Sequence, residues 1–224
     1  MYSNQKAGRI SGVLFLFVFI SGVVIFQVLQ GPVLFSDDFL TTTSEHSIQI
    51  ISSALLGVLS GLASIVIASL LLPIFKKHSY YVAFLYLAFS ILNFIALMLD
   101  NVSVVSMLEL SNNYVANGDS NALQAMSNLV YERHYWTHYM YLLISCFPVF
   151  VLYYGFYMSR IVPRVISIFG MFAVLLMLVQ VLFSIFGQSI SMNMMLPMGL
   201  IQLALPLWLI IKGFSAPLLK AESQ

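Results

Sequence analysis

Charge is what this sequence has least of. Only 8% of its 224 residues are Asp, Glu, Lys or Arg, against about a quarter in soluble domains. With 61% hydrophobic residues and a mean hydropathy of +0.97, an ordinary soluble domain is excluded. Nine basic and eight acidic side chains leave a net charge of +1, so the basic excess that a nucleic-acid partner requires is missing. The single cysteine, Cys146, rules out an intramolecular disulfide and a cysteine metal cluster. An internal repeat is also missing. RISGVLFLF and RVISIFGMF are alike only as helix starts, so the paired halves common in transporters are not legible. The first apolar run is longer than a signal peptide's, and the GPVLFSDDF that follows offers no small-x-small cleavage site, so this run is expected to stay in the protein.

Long apolar runs are what the chain does have. Crossing a hydrocarbon layer about 30 Å thick takes about 20 helical residues at 1.5 Å each. Six runs qualify: Ile10 to Leu29, Ser47 to Phe75, Tyr80 to Leu108, His134 to Tyr157, Val165 to Phe186 and Asn193 to Ile211. The expectation is an all-α, six-helix integral membrane bundle forming one domain over residues 1–224. The second and third runs exceed one span and must tilt or project. The longest connection, residues 109–133, reads as an extracytoplasmic loop, within which NALQAMSNLVYE has the pattern of a short surface helix.

Charge placement gives a direction. With six spans, Lys6, Arg9, Lys76, Lys77, Arg160, Arg164, Lys212 and Lys220 fall on one face, and Asp37, Asp38, Glu45, Asp100, Glu109, Asp119 and Glu132 on the other. Basic loops stay inside, so both termini are expected in the cytoplasm of a multi-pass cell-membrane protein whose first partner is the lipid bilayer.

Polar residues within the spans are few and ordered. Tyr86, Ser90, Asn93, Leu97 and Asp100 share one face of the third helix, and Tyr131, His134, His138, Tyr141 and Ser145 one face of the fourth. Polar side chains avoid acyl chains, so the two stripes should face each other. The third helix runs outward and the fourth inward, which brings Asp100, His134 and His138 to similar depth at the outer boundary. A polar crevice lined by Asn93, Asp100, His134, His138 and Tyr141 is therefore the candidate ligand site. His46 starts the second helix on the same side. Together with His134, His138 and Asp100 it makes a donor set of the kind that holds zinc. Hydrogen bonding between helices is the commoner use of such histidines, and no cofactor is required. Gly57 and Gly61, with Ser64 on the neighbouring ridge, form a small-residue surface suited to close helix approach, within the monomer or against a second copy.

The ordered tracts KAGRISGVLFLF, LLLPIFKKH, HYWTH, SRIVPR and LPMGLIQLALPLWLIIKGF resemble the bacterial domain-of-unknown-function 4386 family along almost the whole chain. The resemblance implies a several-helix bacterial membrane protein and carries no biochemical activity. Where members have a Glu in the second helix, an Arg and a Glu in the third and a Glu in the sixth, this chain has Gly57, Ser90, Asn93 and Gln202, while His134 and Trp136 match the family's pair. Joint loss of both signs is what removal of a compensating charge network would look like. It counts against ion-coupled transport, which needs an ionisable group near the midplane. Three functions stay open: a non-enzymatic protein binding a small molecule, lipid or membrane partner, which we favour; a metal-dependent membrane hydrolase using the outer His and Asp residues; and a small transporter.

Overall fold

A computed structural model describes residues 4–36, 38–118, 121–188 and 191–214, and all regular structure among them is helical. In chain order the helices are α1 (Gln5–Leu34), the short α2 (Phe39–Glu45), α3 (Ser47–Lys76), α4 (Tyr80–Asn117), α5 (Asn121–Ser159), α6 (Arg164–Ile185) and α7 (Asn193–Lys212). All but α2 are long and apolar enough to cross a membrane. The spans pack in chain order around a ring, and α7 closes it against α1. That closure is tight: a Cβ on Gly12 would lie 2.9 Å from the backbone of Ile210, so only glycine lets the first and last helices approach this closely.

Local signals set the helix ends. The Ser79 hydroxyl caps α4 by accepting from the Val82 N–H at 3.4 Å, and Gly118, with φ of 76°, ends the same helix in a conformation most other residues avoid. Pro163 precedes α6 and stops the chain from continuing as one helix out of α5.

The helices differ in length. At 1.5 Å per residue, the 22 residues of α6 reach about 33 Å, one bilayer, whereas the 38 of α4 and 39 of α5 reach about 57 Å. The excess, about 24 Å, lies at the end opposite Lys76, Lys77, Arg160 and Arg164. Residues 109–133, expected as an outer loop with a short surface helix, are thus helical at every described position except Gly118. Asn113 and Asn117 do not form turns. Each donates its side-chain amide to the carbonyl four residues back, Glu109 at 2.8 Å and Asn113 at 2.9 Å, and so stays inside the helix.

Tertiary packing supports this overhang. A small core of Val33, Leu34, Ile50, Val104, Met107 and Leu108 is covered by Phe39, Val130 and Tyr131. Ser111 ties α4 to α2 by donating to the Leu40 carbonyl and accepting from the Ser44 N–H at 2.7 Å, while the Ser44 hydroxyl donates to Asn112 at 2.9 Å. The main core runs from Phe75, Phe156 and Phe214 at the basic end through Ile67, Tyr86, Tyr153 and Leu205 to Val181 and Met198.

Candidate functional site

Twenty residues separate Tyr80 from Asp100, about 30 Å of helix, which puts Asp100 at the far edge of the hydrocarbon. Antiparallel packing of α4 and α5 sets His134, Thr137 and His138 beside it. The Asp100 carboxylate lies 3.2 Å from His138 Nδ1 and 3.5 Å from His134 Nδ1. Thr137 Oγ1 stands 3.3 Å from Asp100 Oδ1 and 2.8 Å from Ser103 Oγ. Ser103 Oγ is 2.7 Å from the Asp100 carbonyl and 3.0 Å from His134 Nδ1.

The donor count limits where the protons lie. An ionised carboxylate only accepts, so His138 Nδ1 carries the hydrogen. The single Ser103 proton can serve the Asp100 carbonyl or His134 Nδ1, and that of Thr137 the Ser103 hydroxyl, Asp100 Oδ1 or the His134 carbonyl 3.0 Å away on its own helix. The contacts of both histidines with this network are made through Nδ1. The arrangement is not a nucleophilic triad. In a triad the hydroxyl and the carboxylate use opposite nitrogens of the imidazole, but Ser103 and Asp100 both lie against Nδ1 of His134.

Helix α1 covers the cluster. Between Val24 and Gln30 it widens into a π-helix, a form often found at functional positions, and this turns Phe26 onto His138, with ring centroids 5.9 Å apart and planes 15° from parallel. Phe35 covers His134 at 6.5 Å. Pro32 has no N–H to give the Val28 carbonyl. The Gln49 amide of α3 takes that role, donating to the carbonyls of Val28 at 3.1 Å and Leu29 at 2.9 Å, and Gln30 donates to Ser53 Oγ at 3.0 Å. Asp100 and His134 are 5% and 4% exposed under this cover.

The residues singled out from sequence are thus divided. Asp100, His134 and His138 come together, and Tyr141 joins them with its ring 6.4 Å from that of His138. Asn93 lies two turns away toward the basic end, its buried Oδ1 without a hydrogen-bond partner among the described residues. His46 is not in the cluster: it is exposed, and its Nδ1 lies 2.9 Å from the Thr42 carbonyl. No group of three or more His, Cys, Asp or Glu among the described residues is arranged to hold a metal ion. The lower parts of both stripes turn inward on their own helices, Ser90 donating to the Tyr86 carbonyl and Ser145 to that of Leu142, each at 2.7 Å. Gly57 and Gly61 face α4 within the same chain. A Cβ on Gly57 would lie 3.0 Å from the Asn101 amide, and one on Gly61 would run into the Phe94 ring. Ser64 donates to the Ser60 carbonyl at 3.1 Å.

Sequence reasoning missed Ser103 and Thr137, each three residues past a recognised member, because hydroxyls that bond their own helix carry no pattern. It also missed Phe26 and Phe35, which reach the site through the π-helical turn of α1.

A second feature lies on the other face of α4. A groove of about 750 Å³ runs between α3, α4 and the start of α5. Leu55, Val58, Met98, Val102, Val105 and Met126 line it with apolar surface, and Ser106, Glu109, Asn113 and Asn117 lie along its upper part. The α4 members recur at helical spacing from Met98 to Asn117, so the groove starts at the hydrocarbon edge near Asp100 and rises along the overhang. Asn101 fixes its wall by donating to the Ala54 carbonyl of α3 at 3.2 Å.

Residues 10–213 match the family model described as Domain of unknown function (DUF4386). The chain belongs to that family. No curated protein and no solved structure matches it.

Proposed function

We propose that this DUF4386 member is a non-enzymatic membrane protein that holds a small amphiphile in the groove between α3, α4 and α5. The observation that carries this reading is the shape and position of the groove: an apolar channel open to the hydrocarbon edge at one end and bordered by polar groups at the other. A pocket of that make suits a molecule with a tail and a head. The Asp100 cluster serves here as a fastening. Its hydrogen bonds are spent on one another, and it clamps α4 to α5 directly behind the groove. The basic end takes the cytoplasmic side, because lysine and arginine resist translocation, and the overhang with its groove then stands outside the cell membrane. No cofactor enters this reading.

Plugging the groove tests it. Val105 lines the channel and is 37% exposed, so Val105→Trp should fill space without disturbing the core. Native mass spectrometry of the detergent-purified protein should show a bound amphiphile on the wild type and at least about a fivefold drop in its occupancy on the variant, a loss of roughly 1 kcal/mol of binding free energy. Equal occupancy in both proteins, with unchanged melting, would overturn the proposal.

A further inference from the structure

The polar groups of the groove share a property that narrows the ligand. Asn101 donates to the Ala54 carbonyl, Ser106 to that of Val102, Asn113 to that of Glu109 and Asn117 to that of Asn113. Each side chain has turned one donor hydrogen onto backbone: Ser106 has none left, each Asn keeps a single amide hydrogen, and all four retain an acceptor oxygen. The remaining polar member, Glu109, is exposed, and its carboxylate accepts only. Among the described residues no Lys, Arg or His is within ion-pair distance of it. An apolar channel therefore ends in a rim with more acceptors than donors and one carboxylate that no cation pairs among the described residues.

We infer that the groove selects a membrane lipid whose headgroup ends in a primary ammonium, with the ammonium donating to Glu109 and to the Asn113 and Asn117 side-chain oxygens. This rests on the amphiphile reading above and adds the headgroup class. The complementarity has two parts. Charge favours a cation over an anionic head, which would meet Glu109 with like sign. Hydrogen bonding favours an ammonium with three N–H donors over a quaternary amine, which has the same charge and none. The position also fits. Glu109 lies nine residues beyond Asp100, about 13 Å of helix past the hydrocarbon edge. A bound lipid would keep its tail against Leu55, Val58 and Val102 and have its head drawn slightly out of the bilayer plane.

The test titrates delipidated wild-type protein, Glu109→Gln and Val105→Trp with phosphatidylethanolamine, phosphatidylcholine and phosphatidylglycerol of identical acyl chains, read by native mass spectrometry. Melting curves check that each variant is folded, which is expected because Glu109 and Val105 are both exposed. The wild type should bind in the order ethanolamine, choline, glycerol, with about a fivefold to tenfold span between first and last, as one charge-assisted hydrogen bond supplies. In Glu109→Gln that span should shrink to within about twofold. A span that survives in Glu109→Gln would overturn the inference. Equal binding of all three lipids to the wild type, lost in Val105→Trp, would also overturn it while leaving the groove as an amphiphile site. Binding that Val105→Trp does not reduce would remove both.

Discussion

The basic half of the bundle and the half that carries Asp100 hold their helices together by different means. Near Lys76 and Arg164 the contacts are rings and branched chains: Phe75 meets Phe156 edge-on at 5.6 Å and Tyr86 at 5.8 Å, and glycines open space for them. A Cβ on Gly155 would stand 2.7 Å from the Phe75 ring, and one on Gly170 would overlap the Tyr153 ring. At the other half the contacts are directional. Asp100, Ser103, His134 and Thr137 join α4 to α5, Gln49 and Gln30 join α1 to α3, and Ser44 and Ser111 join α2 to α4. Inside lipid, packing needs no hydrogen bonds beyond those of the helices. Near the water boundary, apolar contact alone holds α4 and α5 less firmly, and polar groups can be paired there at small desolvation cost. The groove lies in the second half, beside a wall that hydrogen bonds keep in register.

Three substitutions probe this contrast. The largest effect is expected from Gly155→Leu, which drives a branched side chain into the Phe75 ring with no flexible neighbour to yield. Overpacking typically costs about 1–3 kcal/mol and occasionally more, and the 2.7 Å contact puts this site at the upper end, so thermal unfolding in detergent should show a large loss of stability or no recoverable protein. A melting temperature near that of the wild type would mean the basic half is loosely packed.

Asp100→Ala comes next. It strips the acceptor from the part-buried His138 Nδ1 and an ion-pair partner from the buried His134, at about 1 kcal/mol or somewhat more. Asp100→Asn keeps the shape and one acceptor oxygen and should recover part of the loss. If both variants melt like the wild type, directional bonding does not hold the far half.

The smallest effect sharpens the comparison. Ser103→Ala and Thr137→Val should each cost about 1 kcal/mol, the scale of hydrogen bonds between membrane helices. Because the two hydroxyls are 2.8 Å apart, the double variant should lose less than the sum of the singles by about 0.5 kcal/mol or more. Strict additivity in a double-mutant cycle would show that the two act separately.

The parts of this protein legible in its sequence are those that depend on local composition. Six apolar runs each long enough to cross a bilayer determine six spans, since only a helix satisfies its own backbone inside lipid. Helical spacing and opposite chain direction were enough to bring Asp100 to His134 and His138, because stripe and depth are both properties of sequence position. The rest needed contacts that spacing does not encode. The stretch that opens the 109–133 connection reads as loop, and α2 docking on Ser111 and Asn112, with the Asn113 and Asn117 amides bonded to their own helix's carbonyls, makes it helix. His46 was grouped with the site by depth alone, and the capping of α2 by its imidazole turned it elsewhere. The covering of the cluster by Phe26 came from a π-helical widening that no periodicity announces. The groove, too, is a tertiary product. Helical spacing alone aligns Val105, Glu109 and Asn113 on α4, but Leu55 and Met126 join them only when α3, α4 and α5 stand together, where the burial of distant residues, and not local propensity, decides how far a helix continues.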